Sequence, residues 1–254
     1  MLLAYATTIV IPSYGNLTGS TAQLKVNGLD YTKVDEGSLN LGGFIKNDLL
    51  KSIKDKAVSD EEKSNYTQNT DPFFYWEMTE DKEFEVKARD TTIKVKTDDG
   101  GLFNSYYSVD NVAIGPVQVS YDKKTENSYI YSSEGIGIIT DIDDVLRKVE
   151  IWNLESLAYY SFIKTAELLP YSQQLFEKWQ LLPNISFHYS TEAPVVLAQS
   201  YMDLIKYNYP MGSLDMRPTN IAELPEILTA RKTILKKSSK LSQIANSFLL
   251  VTLV

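Results

Sequence analysis

The stretch at residues 135–145 reads Gly-Ile-Gly-Ile-Ile-Thr-Asp-Ile-Asp-Asp-Val. An apolar run follows the glycines and ends in three acids, Asp141, Asp143 and Asp144. This pattern predicts a buried parallel strand with carboxylates at its C-terminal end. Open α/β sheets bind their ligands at that edge. The stretch therefore predicts both the fold of the C-terminal half and the place of its chemistry.

The spacing of Asp141 and Asp143 suits one shared site. Side chains alternate along a strand, so the two carboxylates point the same way if the strand continues through them. Neighbouring carboxylates repel each other, and a hard cation such as Mg²⁺ between them and a phosphate keeps both ionised. The first can then attack phosphorus while the second handles the proton of the leaving group. The competing interpretation is a helix N-cap, because Asp there accepts backbone N–H groups.

The composition excludes several kinds of site. The chain has 254 residues, of which 43% are hydrophobic and 23% charged, as in ordinary globular proteins. The absence of cysteine excludes disulfides, thiolate metal sites and a cysteine nucleophile. The single histidine, His188, lies inside an apolar run, which favours packing over a Ser-His-Asp arrangement. A net charge of −8 argues against binding to nucleic acid over a broad surface.

Short alternating runs bounded by turns predict an antiparallel β-sandwich domain over residues 1–134. Most of these runs lie between residues 73 and 131. Apolar residues at helical spacing predict a surface helix over 42–58. The polar, acidic segment 59–72 is predicted to be a mobile loop.

Strands and helices alternate over residues 135–254, which predicts parallel crossovers and a doubly wound α/β domain. Apolar residues at three- and four-residue steps predict two helices over 145–182, joined near Pro170. Further strands are predicted at 185–189, 211–216 and 248–254. The predicted fold is therefore an α+β protein of two domains, 1–134 and 135–254.

A resemblance to known phosphatases rests on three ordered motifs. Asp-x-Asp-x-Val after a hydrophobic strand resembles the first motif of the haloacid dehalogenase superfamily, and 135–144 is similar to the Ile-Ser-Asp-Ile-Asp-Asp-Thr signature of the actin patch protein type of phosphatidate phosphatase. Residues 187–194 resemble that family's Phe-His-Tyr-x-Ser-x-Ser-Pro, with Thr191 in the place of the phosphate-binding serine. Residues 209–217 resemble its Phe-Pro-x-Gly-x-x-x-Leu-Arg segment. The resemblance spans residues 135–254.

The resemblance implies a haloacid-dehalogenase-like phosphatase that forms an aspartyl-phosphate. Asp141 is then the expected nucleophile and Asp143 the general acid and base, and both belong to the Mg²⁺ site. Thr191 is expected to bind phosphate together with a lysine before the final strand, for which Lys237 fits the spacing best. The family continues that strand into Gly-Asp-Ser-Gly-Glu, whose acid completes the Mg²⁺ site, whereas this sequence ends at Val254. The catalytic domain is therefore expected to be incomplete at its C-terminus.

One stretch, residues 231–240, carries five cations and no acid. Lys232, Lys236 and Lys240 fall at four-residue steps and form one stripe on a helix. That stripe is either a solvated face or a contact with an anionic membrane. No run reaches the roughly eighteen apolar residues of a membrane span, so a soluble or peripheral protein is expected.

The resemblance implies a Mg²⁺-dependent phosphatidate phosphatase that yields diacylglycerol and phosphate. Its expected partners are phosphatidate or another phosphomonoester, an anionic membrane surface and, by resemblance, proteins of actin patches. The chain start lacks the basic segment and cleavage site of a secretory signal, so a cytoplasmic location is expected, peripheral at membranes or cortical actin patches. Two alternatives stay open: a truncated, inactive relative that acts as a binding or scaffold module, and a phosphatase of soluble monoesters.

Overall fold

The computed structural model describes residues 6–33, 53–74, 76–121, 124–132, 134–217 and 250–253. These residues form two β-sheets with helices packed against them. Within these ranges, every helix is too short or too polar to cross a membrane.

Nine strands make up the N-terminal sheet. They are β1 Ala6–Ile11, β2 Tyr14–Thr18, β3 Thr21–Lys33, β4 Trp76–Met78, β5 Glu83–Ala88, β6 Thr91–Lys96, β7 Leu102–Asp110, β8 Gly115–Tyr121 and β9 Lys124–Tyr131. The hydrogen-bonded order is β1-β3-β2-β9-β8-β5-β6, and β4 and β7 also pair with β3. Every pair in this sheet is antiparallel except β2 with β9.

The 13-residue strand β3 organises this sheet. β2 and β1 pair along one of its edges, and β7 and β4 along the other. The predicted antiparallel strands are confirmed. The predicted sandwich of two sheets is not observed, because the strands form a single sheet. This sheet curves so that β6 comes close to β7. The length of β3 is the reason for the single sheet, because one continuous ladder joins strands that a shorter segment would leave in separate sheets.

The second sheet has the order β12-β11-β10-β13. Its strands are β10 Ile136–Asp141, β11 Ile185–Pro194, β12 Ser213–Arg217 and β13 Leu250–Leu253. β10 and β12 both run parallel to β11, which confirms the predicted parallel strands. β13 runs antiparallel to β10, so the prediction of parallel strands throughout is wrong at this edge. An apolar run predicts a strand but not its direction, since either direction completes the ladder, and mixed sheets often carry an antiparallel edge strand.

The prediction of a mobile loop over 59–72 is wrong, because residues 60–72 belong to helix α1, Asp60–Phe74. Ser59 Oγ accepts the Glu62 N–H at 3.1 Å, and Glu62 Oε2 accepts the Ser59 N–H at 3.1 Å. This reciprocal pair is a capping box, which satisfies N–H groups that a helix start leaves without partners. The polar composition of the segment concealed this start signal.

Helices α2 Leu154–Phe162, α3 Ser172–Trp179 and α4 Ala198–Asn208 follow β10 and β11. Two helices joined near Pro170 are confirmed, but the first begins at Leu154 and not at residue 145. The Asn153 side chain accepts the N–H groups of Glu155 and Ser156 and so caps α2 at this point. Residues 42–52 of the helix predicted over 42–58 lie outside the described residues, and of the remainder residues 53–54 are helical whereas 55–58 are not.

One hydrophobic core contains residues from both sheets and from the helices. Phe176 of α3 and Tyr201 of α4 pack with Phe187 of β11 in this core. It also contains residues of the N-terminal sheet, namely Ile9, Ile11, Leu29, Tyr31 and Trp76. The division into domains at residue 134 stays a prediction.

Candidate active site

Glycine is required where β10 begins. Gly135 has φ of +125°, and a Cβ there would lie 2.3 Å from the carbonyl oxygen of Asn184. The Ile136 N–H donates to the same carbonyl at 2.9 Å. Gly135 thereby lets β10 start beside the residue that precedes β11, and this sets the register of the two strands.

That register places three polar residues side by side at the C-terminal edge of the sheet. Asp141 of β10 pairs with Ser190 of β11, which pairs with Asp215 of β12. Asp141 is exposed, and its Oδ1 accepts the Ile142 N–H at 2.8 Å. The edge that the sequence indicated for chemistry therefore carries an accessible carboxylate.

The strand does not continue through Asp143, because β10 ends at Asp141. The Ile142 carbonyl accepts the N–H groups of Leu146 at 2.9 Å and Arg147 at 3.2 Å, which turns the chain. Asp141 and Asp143 were expected to point the same way only if the strand continued through both, and this condition is not met.

Asp144 organises the loop that follows. It has φ of +60°, and its carboxylate accepts the N–H groups of Val149, Glu150 and Ile151 at 2.7–2.9 Å. Asp144 accepts backbone N–H groups, as the N-cap interpretation expected, but they belong to a loop and not to a helix. Both of its oxygens thus serve local structure.

The carboxylate of Asp143 is held by three side chains. Arg147 Nε donates to Oδ1 at 2.9 Å, and Thr191 Oγ1 donates to Oδ2 at 2.8 Å. The Tyr201 hydroxyl lies 3.0 Å from Oδ1 and 2.8 Å from Oδ2. The Asp143 side chain is only 12% exposed, so the surrounding protein fixes its orientation.

The charges of this cluster are balanced in a dry environment. Arg147 is buried, its Nη2 donates to the Tyr201 hydroxyl at 2.6 Å, and its guanidinium lies 4.4 Å from the centre of the Tyr201 ring. Burial by itself lowers the pKa of Arg147, but Tyr201 and Asp143 outweigh it and the net pKa is raised. Burial also raises the pKa of Tyr201, so its hydroxyl keeps the proton that it donates to Asp143.

The structure brings two of the predicted site residues, Asp143 and Thr191, into contact. Thr191 Oγ1 also accepts the Ala193 N–H at 3.0 Å, so this hydroxyl already has two partners. Its phosphate-binding role stays a prediction. The predicted phosphate-binding and membrane-binding lysines lie outside the described residues: Lys237, Lys232, Lys236 and Lys240.

The Mg²⁺ site that the resemblance implies is built on Asp141 and Asp143. Among these residues, no group of three or more His, Asp or Glu side chains is placed to hold a metal ion. Protein donors occupy both carboxylate oxygens of Asp143 and of Asp144. The Mg²⁺ site therefore stays a prediction.

A second polar cluster surrounds His188 on the side facing the N-terminal sheet. Nδ1 lies 2.6 Å from Ser213 Oγ, and Nε2 lies 3.4 Å from Asp215 Oδ2. Lys25 of β3 binds the other oxygen of Asp215 at 2.9 Å. Ser213 is completely buried and cannot reach a substrate, which supports the packing role expected for His188. Burial raises the pKa of Asp215, but hydrogen bonds from His188 and Lys25 outweigh it and lower the pKa to about 2.

Sequence reasoning missed Arg147 and Tyr201. Arg147 lies four residues after Asp143, and this separation was the one available signal, although it brings charges together reliably only on a helix. Tyr201 is separated from Asp143 by 58 positions, and nothing in its local pattern links the two.

Comparison with known proteins bears on the C-terminal half. Residues 136–254 match the family model described as "Phosphatidate phosphatase APP1, catalytic domain". No curated protein matches the chain. The resemblance read from the three motifs is confirmed over this range.

Proposed function

Because residues 136–254 match the catalytic-domain model of the phosphatidate phosphatase family, we propose that the chain hydrolyses phosphatidate to diacylglycerol and phosphate. Asp141 is the nucleophile, and Asp143 is the general acid and base. The proposed catalytic domain is haloacid-dehalogenase-like. The proposed place of action is the cytoplasmic surface of a membrane, including cortical actin patches.

One observation carries the proposal. An exposed carboxylate, Asp141, ends a central parallel strand, and a second carboxylate two residues later is held in a fixed orientation by Arg147, Thr191 and Tyr201. A nucleophile must meet the substrate, whereas an acid and base must be oriented toward a single oxygen. The exposure of the first acid and the restraint of the second suit these two roles.

The reaction then has two steps. An Asp141 oxygen attacks phosphorus, the bond from phosphorus to the glycerol oxygen breaks, and Asp143, which must be a protonated carboxylic acid at this step, delivers its proton to that oxygen and becomes a carboxylate. Water next attacks phosphorus, Asp143 accepts its proton, and the bond from phosphorus to Asp141 breaks to release phosphate. Thr191 and Lys237 are proposed to contact the phosphate oxygens. For Thr191 this requires its hydroxyl to leave Asp143 or to bridge both groups.

Mg²⁺ is proposed as cofactor on the family resemblance alone, where it would stabilise charge on the phosphate oxygens. No step is assigned to the ion, since no group of three or more acid or histidine side chains among the described residues is placed to hold it. Asp141 is the acid of the motif best placed to meet it, because it is exposed at the end of β10.

A second candidate is a binding or scaffold module without turnover. The observation that favours it is the engagement of both Asp143 oxygens by protein donors, an arrangement also found in buried structural ion pairs. A phosphatase of soluble monoesters is the third candidate, because the proposed reaction needs only a phosphate group and its leaving oxygen.

The test measures phosphate release by the full chain with Mg²⁺ from phosphatidate vesicles and, separately, from glycerol phosphate. Asp141→Asn should abolish release and Asp99→Asn, at an exposed turn, should not. Mass spectrometry of acid-quenched reactions should locate the transient phosphate on Asp141. Release from glycerol phosphate alone would favour the soluble substrate, and absence of release from both would favour the binding module.

A further inference from the structure

An open cleft of about 490 Å³ lies on the N-terminal sheet, away from the Asp143 cluster. Its walls come from β5, from β8 and from the turn before β8. We call it the β5–β8 cleft, and its defining residues are Lys87, Arg89, Ile114, Pro116, Gln118 and Ser120.

The strand register leaves positive charge in the β5–β8 cleft. Outward-facing acids further along β5 are matched by lysines directly opposite on β6, in the pairs Glu83 with Lys96 and Glu85 with Lys94. Lys87 instead lies opposite Thr92 on one side and Ser120 on the other, both neutral. Cross-strand neighbours set the local charge of a sheet surface. The charge of Lys87 is therefore not compensated within its own pairs.

Arg89 adds a second cation beside Lys87. Its guanidinium donates to the Asn111 carbonyl, which holds it over the turn before β8. Asp90 follows it at the tip of the β5–β6 turn and is the one acid adjacent in sequence. Since a guanidinium has five N–H donors, others remain for an anion.

Apolar side chains border the two cations. Ile114 is 60% exposed, and Ala113 and Pro116 beside it are also exposed. Gly115 at φ of +117° forms the turn that presents Ile114. Exposed apolar residues bordered by cations are the pattern of surfaces that lie at a membrane interface.

A cleft beside α2 also contains a cation, but that cation is paired with an acid. It measures about 360 Å³ and contains Lys56, whose ammonium pairs with Glu155. Glu150, also in its lining, pairs with Lys148 at 3.1 Å. Its cations are already neutralised, so charge distinguishes the β5–β8 cleft from it.

We propose that the β5–β8 cleft docks the protein on an anionic phospholipid bilayer, with Lys87 and Arg89 against lipid phosphates and Ile114 at the interface. A chain with net charge −8 is repelled by such a surface, so approach requires a local positive patch. Because salt screens charges that are more than a Debye length of about 8 Å from the membrane, the patch in contact with the membrane contributes more to binding than the net charge does. The inference rests on the proposed function in one respect, the location of the substrate in a membrane.

The experiment measures sedimentation of the full chain with phosphatidylcholine vesicles that contain phosphatidate, at low and high salt. Lys87→Gln/Arg89→Gln should lower the partition coefficient about tenfold or more at low salt, with a smaller effect at high salt. Ile114→Ser should lower it at both salt concentrations, because apolar contact is not screened. Lys94→Gln/Lys96→Gln is the matched control, since it removes two cations that face acids on the same sheet.

Equal partition of Lys87→Gln/Arg89→Gln and Lys94→Gln/Lys96→Gln would overturn the proposal. So would loss of binding only in Lys232→Gln/Lys236→Gln/Lys240→Gln. Phosphate release from glycerol phosphate separates this result from the proposed function. If the chain is inactive on every substrate but binds vesicles through Lys87 and Arg89, the proposed function is wrong and the docking surface stands. If the chain is active but Lys87→Gln/Arg89→Gln binds vesicles as the parent does, the docking surface is wrong and the proposed function stands.

Discussion

The Tyr201 hydroxyl reaches both oxygens of the Asp143 carboxylate, at 3.0 Å from Oδ1 and 2.8 Å from Oδ2. The same hydroxyl accepts a hydrogen bond from Arg147 at 2.6 Å, so a buried cation and a buried anion share one tyrosine. An unpaired buried charge is costly, and this arrangement leaves neither charge unpaired. The proposed acid and base is thus positioned by residues from outside the motif.

Tyr201→Phe should slow the first step, phosphoryl transfer to Asp141, for alkyl phosphates while sparing it for aryl phosphates. A misplaced Asp143 delivers its proton poorly, and an alkoxide leaving group needs that proton whereas nitrophenolate does not. We expect the single-turnover rate of phosphoryl transfer to Asp141 to fall by roughly tenfold or more for glycerol phosphate, with little change for nitrophenyl phosphate. Tyr209→Phe is the control, since it removes another buried hydroxyl, bonded to the Leu146 carbonyl, without touching Asp143. Equal losses on both substrates would assign Tyr201 a merely structural role.

Arg147→Met should destabilise the fold by about 3–5 kcal/mol, because it leaves the Asp143 carboxylate buried beside an apolar side chain. Urea unfolding measures this change. Arg217→Met breaks the exposed pair with Glu192 at 3.2 Å, and we expect it to cost less than about 1 kcal/mol. Adding Asp143→Asn to Arg147→Met should recover part of the loss. A double variant as unstable as the sum of the two single variants would contradict the ion pair.

Ser59→Ala should destabilise α1 by about 1 kcal/mol, since it removes the acceptor of the Glu62 N–H. Ser64→Ala, an exposed position inside the same helix, should be neutral or slightly stabilising because alanine has the higher helix propensity. Thermal unfolding of the two variants makes the comparison. A gain in stability for Ser59→Ala would show that the capping box does not set the helix start.

The pairing of Lys25 with Asp215 should stabilise the protein in a pH-dependent way. The pKa of Asp215 is lowered to about 2 in the folded protein from a reference of 3.8. A lowered pKa stabilises the fold above the reference value, and the contribution is lost as the pH falls from 3.8 toward 2. Lys25→Met should therefore be less stable than the parent at pH 7, with a difference that shrinks below pH 4. Lys96→Met, at an exposed pair with Asp81, should show a smaller difference at pH 7. A pH-independent difference for Lys25→Met would indicate lost packing instead.

Local pattern predicted the elements better than it predicted their assembly. The apolar runs at β10, β11 and β12 and the helices on either side of Pro170 follow from periodicity, which is a local property. The direction of β13 and the pairing of four strands with β3 depend on which edges meet, and hydrophobicity does not encode that choice. The start of α1 was available locally in Ser59 and Glu62, but the polar composition outweighed it.

For the candidate site, the sequence by itself determined the acids, their position after a buried strand, and a family match over residues 136–254. Only the tertiary structure decided how exposed each acid is and which groups it contacts. Asp141 and Asp143 are two positions apart, yet one is exposed and the other is held by Arg147 and Tyr201. The physical reason is that a carboxylate's role depends on its burial and on its donors, and here a donor comes from a helix 58 positions away.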